Sequence, residues 1–138
     1  MTEAKDLLRA VMKSNLDEVK AMIEAGVDVN EQPMEGYAPL FQACLKSEWD
    51  IALELLKAGA DPNRKCGESY PLPERGYLSA EVTEACIKAG VNLELCDKRG
   101  LTALQKACID GSESSALVLL NAGANAKLVD DEGKTPLQ

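Results

Sequence analysis

The sequence predicts an all-α repeat solenoid: about four helix–turn–helix units joined by hairpin loops, with a partial fifth at the end. Three observations carry this. Four stretches superimpose, "LDEVKAMIEAG" (16–26), "WDIALELLKAG" (49–59), "AEVTEACIKAG" (80–90) and "ESSALVLLNAG" (113–123), and their closing glycines lie 33, 31 and 33 residues apart. Upstream of these glycines, two further slots recur in phase, one holding Leu7, Leu40 and Leu104 and the other Ala10, Ala43 and Ala107. Aromatic content is only 4%, so Leu and Ala rather than large rings must fill the interior. A fixed period of this size marks stacked units, each too small to bury its own apolar face.

The first unit, about residues 3–32, serves as the N-terminal cap of the array. Its first helix carries Leu7 and Ala10, and Ser14-Asn15 supply the turn. The second helix carries Val19, Met22 and Ile23 on one face, a buried stripe at helical spacing. Gly26 follows, suited to the left-handed position just past a helix end. The second unit, about 33–65, repeats this with Leu40, Ala43, Ala52, Leu55, Leu56 and Gly59. Ser47 and Asp50 have the spacing of a capping box.

The third unit, about 66–96, is degenerate. It is one residue shorter within its helices and one shorter in the loop before them. Its first helix falls in "YPLPERGYLS" (70–79), which holds Pro71, Pro73 and Gly76 and puts Glu74 in the slot that is Ala elsewhere. An unpaired carboxylate is too costly to bury there. A short or irregular helix is therefore predicted, with Glu74 and Arg75 released to solvent. Two readings follow, a tolerated degenerate unit or a local gap that shapes a partner site. The fourth unit, about 97–129, restores the pattern with Leu104, Ala107, Gly111-Ser112, Ala116, Leu119, Leu120 and Gly123. The last stretch, about 130–138, includes "DEGKTPLQ", in phase with the start of the second and fourth units. It reads as the opening of a fifth, and the expectation is a longer parent protein or a chain trimmed at this point.

The net charge of −8, from 23 acidic and 15 basic residues, lacks the basic patches that nucleic acid or anionic membranes require. No apolar run reaches the ~18 residues of a membrane span. Histidine is absent, which excludes Ser-His-Asp and Cys-His catalysis. No zinc, calcium, phosphate-loop or dinucleotide spacing occurs, so no cofactor or metal is expected. The five cysteines form an odd set without C-x-x-C, as reduced thiols in the cytoplasm would. By position Cys44, Cys86 and Cys108 read as core, and Cys66 and Cys96 as exposed. The reading is a non-enzymatic monomer.

With these motifs in phase, the chain resembles the ankyrin-repeat family. The resemblance rests on "GVDVN" (26–30), "GADPN" (59–63), "EGYAPLFQA" (35–43), "DKRGLTALQKA" (97–107) and "DEGKTPLQ" (131–138), and covers nearly the whole chain. The family's T-P-L-H histidine is missing; Gln105 and Gln138 offer an amide in its place, whereas Phe41 does not. The resemblance implies a concave face built from hairpin tips and first helices that binds a protein partner. Carried over position by position, the tips give Met34, Glu35, Tyr37, Tyr70, Lys98, Arg99 and Leu101, and the helices give Leu45, Lys46, Tyr77, Ile109 and Asp110. Met12 and Lys13 hold the equivalent place in the first unit. All three tyrosines fall on this face, a residue type favoured at interface centres. The competing reading is that Tyr37 and Tyr70 pack on neighbouring hairpins. Trp49 is expected to pack on the back of the stack. Alternatives to a binding module are a structural or capping piece of a longer scaffold, or a regulatory inhibitor or effector of an enzyme.

Overall fold

A computed structural model of the chain describes residues 3–31 and 38–124, with side chains from Asp6 onward. Those residues form helix pairs: α1 (Glu3–Met12) with α2 (Leu16–Glu24), α3 (Pro39–Leu45) with α4 (Trp49–Lys57), and α7 (Ala103–Asp110) with α8 (Glu113–Asn121). In the third unit α5 (Pro71–Glu74) and a 3-10 turn (Gly76–Leu78) together face α6 (Ala80–Lys88). The helices make two layers. In one, α1, α3, α5 and α7 follow each other; in the other, α2, α4, α6 and α8. Among the described residues no helix exceeds 10 residues, below the length at which isolated helices persist in water, so packing holds them.

The repeated slots form the core. Leu7, Leu40, Leu72 and Leu104 are buried in the first layer, and Ala10, Ala43 and Ala107 let that layer approach the second closely. From the second come Val19, Ala52, Leu55, Cys86 and Leu119. Thr83 occupies the slot of Val19 and Ala52 and is equally buried; its hydroxyl donates to the Ser79 carbonyl at 2.8 Å, which satisfies it inside. Trp49 is half-buried against this core.

In the first, second and fourth units both helices end in the same way. After the second, Gly59 takes φ +98° and the Ala60 amide reaches back to the Leu55 carbonyl at 3.0 Å. Val27, Val91 and Ala124 repeat that bond behind Gly26, Gly90 and Gly123. After the first helix the left-handed residue is Ser14, Ser47 or Gly111. The next amide then bonds the Ala10, Ala43 or Ala107 carbonyl. The capping box expected at Ser47 is corrected here. With φ +57° Ser47 closes α3, and Glu48 starts α4 with no side-chain cap. A capping box does occur at Thr102 and Gln105, where the Gln105 amide oxygen accepts from the Thr102 N–H at 2.8 Å.

The third unit is irregular, as its prolines imply. α5 has 4 residues, Arg75 is exposed, and Glu74 is half-buried rather than fully released. Gly76 is buried where α5 meets the 3-10 turn. A Cβ there would lie 3.0 Å from the Pro71 carbonyl oxygen and 3.6 Å from Leu72 Cδ1. That oxygen already accepts the Arg75 amide. Gly76→Ala should therefore cost about 1–2 kcal/mol by overpacking, read as a lower urea midpoint at unchanged slope.

The loops after the second helices join units through asparagine. Asn30 donates to the Gly59 carbonyl at 3.0 Å and accepts from the Asp61 amide at 2.7 Å. Asn63 does the same with Gly90 and Asn92 at 3.1 and 2.7 Å. Short antiparallel bridges, Cys66 with Ser69 and Cys96 with Thr102, close the hairpins before α5 and α7. The stretch 131–138 and its expected fifth unit lie outside the described residues.

Candidate protein-binding surface

Where the first helices end, apolar side chains face solvent once per unit. Met12 is 48% exposed, Leu45 36%, Leu78 38% and Ile109 57%. Leu8, Phe41 and Leu104, on other faces of those helices, are buried. The chain turns immediately after each exposed residue, so the side chain lies at the seam rather than between layers. Leu78 comes from the 3-10 turn and stands two residues past the place of Leu45 counted from the closing glycines, which Gly76 holds, so spacing did not reveal it.

Polar side chains lace this edge from unit to unit. The Ser14 hydroxyl donates to Glu48 Oε1 at 2.5 Å, and Lys46 Nζ donates to the Met12 carbonyl. Arg75 Nη2 donates to Ser47 Oγ at 3.1 Å. A lysine at a helix end complements the exposed carbonyls of the last turn.

Between the third and fourth units the lacing becomes a cluster. The Tyr77 hydroxyl donates to Asp110. Lys106 Nζ lies 5.3 Å from the Tyr77 ring centre, pairs with Asp97 Oδ2 at 2.9 Å and donates to the Glu74 carbonyl at 3.0 Å. Burial, then the bond to Asp110 and its charge, push the Tyr77 phenol up. Burial pushes Asp97 up, but bonds from Lys106 and from the Leu101 and Arg99 amides outweigh it and hold the carboxyl below its ordinary value.

The residues predicted from the sequence divide accordingly. Leu45, Lys46, Ile109 and Asp110 share the turn edge and are exposed. Lys98 and Arg99 are exposed on the hairpin before α7, and Tyr70 is half-buried at the start of α5. Two expectations of surface position need correction. Tyr77 is 4% exposed because the 3-10 turn swings it beneath Lys106, and Leu101 is 6% exposed because the bridge at Thr102 folds it under the hairpin. Both are packing residues in this structure. Met34, Glu35 and Tyr37 lie outside the described residues.

Burial raises four of the five thiols. Burial pushes Cys86 up to about 12 and Cys44 well above the ordinary thiol value. Cys96 and Cys108 are half-buried and also raised, with burial the first cause. Cys66, expected at the surface, is instead buried against Ala38 and Phe41. Among the described residues no group of three or more Cys, Asp or Glu could hold a metal ion. No described helix is long and apolar enough to cross a membrane.

Comparison with known proteins agrees with this geometry. Residues 7–51 match the family model for ankyrin repeats (many copies). A stretch of 55 residues is 42% identical to the tyrosine-protein kinase HTK16 of Hydra vulgaris; it makes up 40% of this chain and 7% of that kinase. Residues 7–51 are thus ankyrin repeats by this match, and the closing glycine and recurrent leucine of the matched stretch continue through the later units.

Proposed function

We propose that the chain is a protein-interaction module that contacts its partner through the face formed by the first-helix ends and the hairpin tips. The observation that carries this reading is the exposed row of Met12, Leu45, Leu78 and Ile109. One large apolar side chain per unit, displayed where the first helices end, is a repeated exposed feature that supports a contact surface. Lys46 and Asp110 follow Leu45 and Ile109 and border it with charge, and Lys98 and Arg99, with Met34, Glu35, Tyr37 and Tyr70, are retained as hairpin contributors. The role is non-enzymatic: burial raises the thiols of Cys44, Cys86, Cys96 and Cys108, and the polar cluster at Lys106 is spent on holding two units together. The kinase activity of the Hydra protein belongs to that protein.

The test is a pull-down from the source organism with a matched pair of variants. Leu45→Glu with Ile109→Glu should cut recovery of a bound protein at least tenfold, about 1.4 kcal/mol. Leu117→Glu, at an exposed site on α8 (61% exposed), should leave it unchanged. Equal recovery by the edge variant, or loss only with Leu117→Glu, would defeat the assignment.

A further inference from the structure

We propose that the groove between the third and fourth units takes a carboxamide side chain, Asn or Gln, from the protein that docks on the first-helix edge. This rests on the reading of that edge as the contact surface and adds a specificity site beside it.

The groove exists because one core slot holds a small polar side chain. Counted from the closing glycines, Ser115 stands in the slot of Ile51 and Val82, both buried in the core. In the first unit, with no described unit before it, that slot is the exposed Glu18, so the slot faces the preceding neighbour. Serine leaves unfilled the space that Ile51 and Val82 fill. A groove of about 490 Å³ opens between Leu78 and Ala80 of the third unit and the Gly111–Ser115 start of the fourth. That size lies within the roughly 300–1,000 Å³ that ligand sites span.

Its floor and rim carry polar groups that the fold leaves unused. Ser115 is 2% exposed and lines the groove, and its hydroxyl has no hydrogen-bond partner among the described residues. Thr83, the other buried hydroxyl on a second helix, is by contrast held by the Ser79 carbonyl. A buried hydroxyl without a partner costs free energy until something supplies one. At the rim α8 begins on Ser112 without a side-chain cap, and the Ser114 and Ser115 amides have no acceptor among the described residues. A hydroxyl and two first-turn amides thus border one opening.

Charge decides what enters. Glu113 lines the groove, Glu81 follows Ala80 and Asp110 precedes Gly111, while the described lining holds no Lys or Arg. A carboxylate or phosphate would meet these like charges. A cation offers the amides no acceptor and faces the positive end of α8. A carboxamide fits both sides: its oxygen accepts from the Ser115 hydroxyl or the first-turn amides, and its NH2 donates to Glu113. Leu78, 38% exposed on the opposite wall, takes an aliphatic neighbour. The ligand is thus a segment with Asn or Gln beside Val, Leu or Ile.

The experiment selects binders to the full chain from a random peptide library. Winning peptides should pair Asn or Gln with Val, Leu or Ile. Ser115→Val refills the slot with the side chain that Val82 uses. The urea midpoint should stay or rise, while peptide binding falls about tenfold or more, as when a buried hydrogen bond is lost. On the peptide side, changing the amide residue to Asp should cost a similar factor, and Glu113→Gln should restore much of it. Glu113 is exposed, so a folding defect does not mimic that pair of results. Winners unaffected by Ser115→Val, or carrying an acid or a base in place of the amide without loss, would overturn the groove; their dependence on Leu45 and Ile109 would leave the edge reading standing. Binding lost with Ser115→Val but unmoved by Leu45→Glu with Ile109→Glu would uphold the groove and overturn the edge. Winners indifferent to all these changes, or no winners, would overturn both.

Discussion

Lys106→Met is expected to lower the unfolding free energy by about 3–5 kcal/mol, measured by urea denaturation near neutral pH. The methionine keeps most of the apolar stem but strands the Asp97 carboxylate, whose side chain is only 5% exposed. Asp97 would retain the Arg99 and Leu101 amides at 2.9 and 3.1 Å, too little to replace a cation at 2.9 Å. The Glu74 carbonyl loses its donor as well. Adding Asp97→Asn should recover a large part of the loss, because the stranded charge goes with it. The pH dependence has a definite sign. Asp97 titrates below its unfolded value, so its stabilisation is complete above about 3.9, the ordinary aspartate value. It fades as pH falls through the depressed folded value. In Lys106→Met burial dominates, the Asp97 value rises, and the acid unfolding midpoint should move to higher pH.

Leu72→Ala is expected to cost about 2–5 kcal/mol and to split unfolding into two steps. Leu72 is fully buried on α5, which packs against α3 on one side and α7 on the other. Because α5 is a single turn of 4 residues, few other side chains can compensate. Stacked units hold together through neighbour interfaces, so weakening a central one uncouples the halves. Trp49 is the only tryptophan and sits on α4, so its fluorescence follows the first two units while circular dichroism follows all helices. The two transitions should coincide in the wild type and separate in Leu72→Ala; coincidence in the variant would refute the uncoupling.

Much of the fold was legible because it depends on local spacing. Gly26, Gly59, Gly90 and Gly123 mark positions where backbone geometry excludes most residues, and Leu7, Leu40 and Leu104 mark slots where stacking allows one size. The short α5 could be foreseen because Pro71, Pro73 and Gly76 each act within a turn of themselves. Other features turn on which way a side chain points after an irregular step, and spacing carries no such information. Tyr77 holds the slot of Lys46 and Asp110 by count, yet the 3-10 turn rotates it inward. Leu101 and Cys66 look exposed in polar hairpin sequences, but the bridges at Thr102 and Ser69 fold them under. Ser47 resembled a helix start because Ser and Asp stand at cap spacing; its left-handed backbone makes it a helix stop. The candidate surface was legible at Leu45, Lys46, Ile109 and Asp110, which sit on regular helices, and less so where the third unit departs from them.

The bonds that tie one unit to the next all span a similar length of chain. Asn30 reaches 29 residues to Gly59, Ser14 reaches 34 to Glu48, and Lys106 reaches 32 back to Glu74. Each added unit therefore closes a loop of nearly constant size, however many units precede it, and loop-closure entropy depends only on that size. Contact order measured against total length then falls as units are added, so assembly speed should be set by the slowest single docking step and not by the size of the array. In this chain that step is the one that brings the four-residue α5 onto its neighbours, since it has the least helix formed in advance.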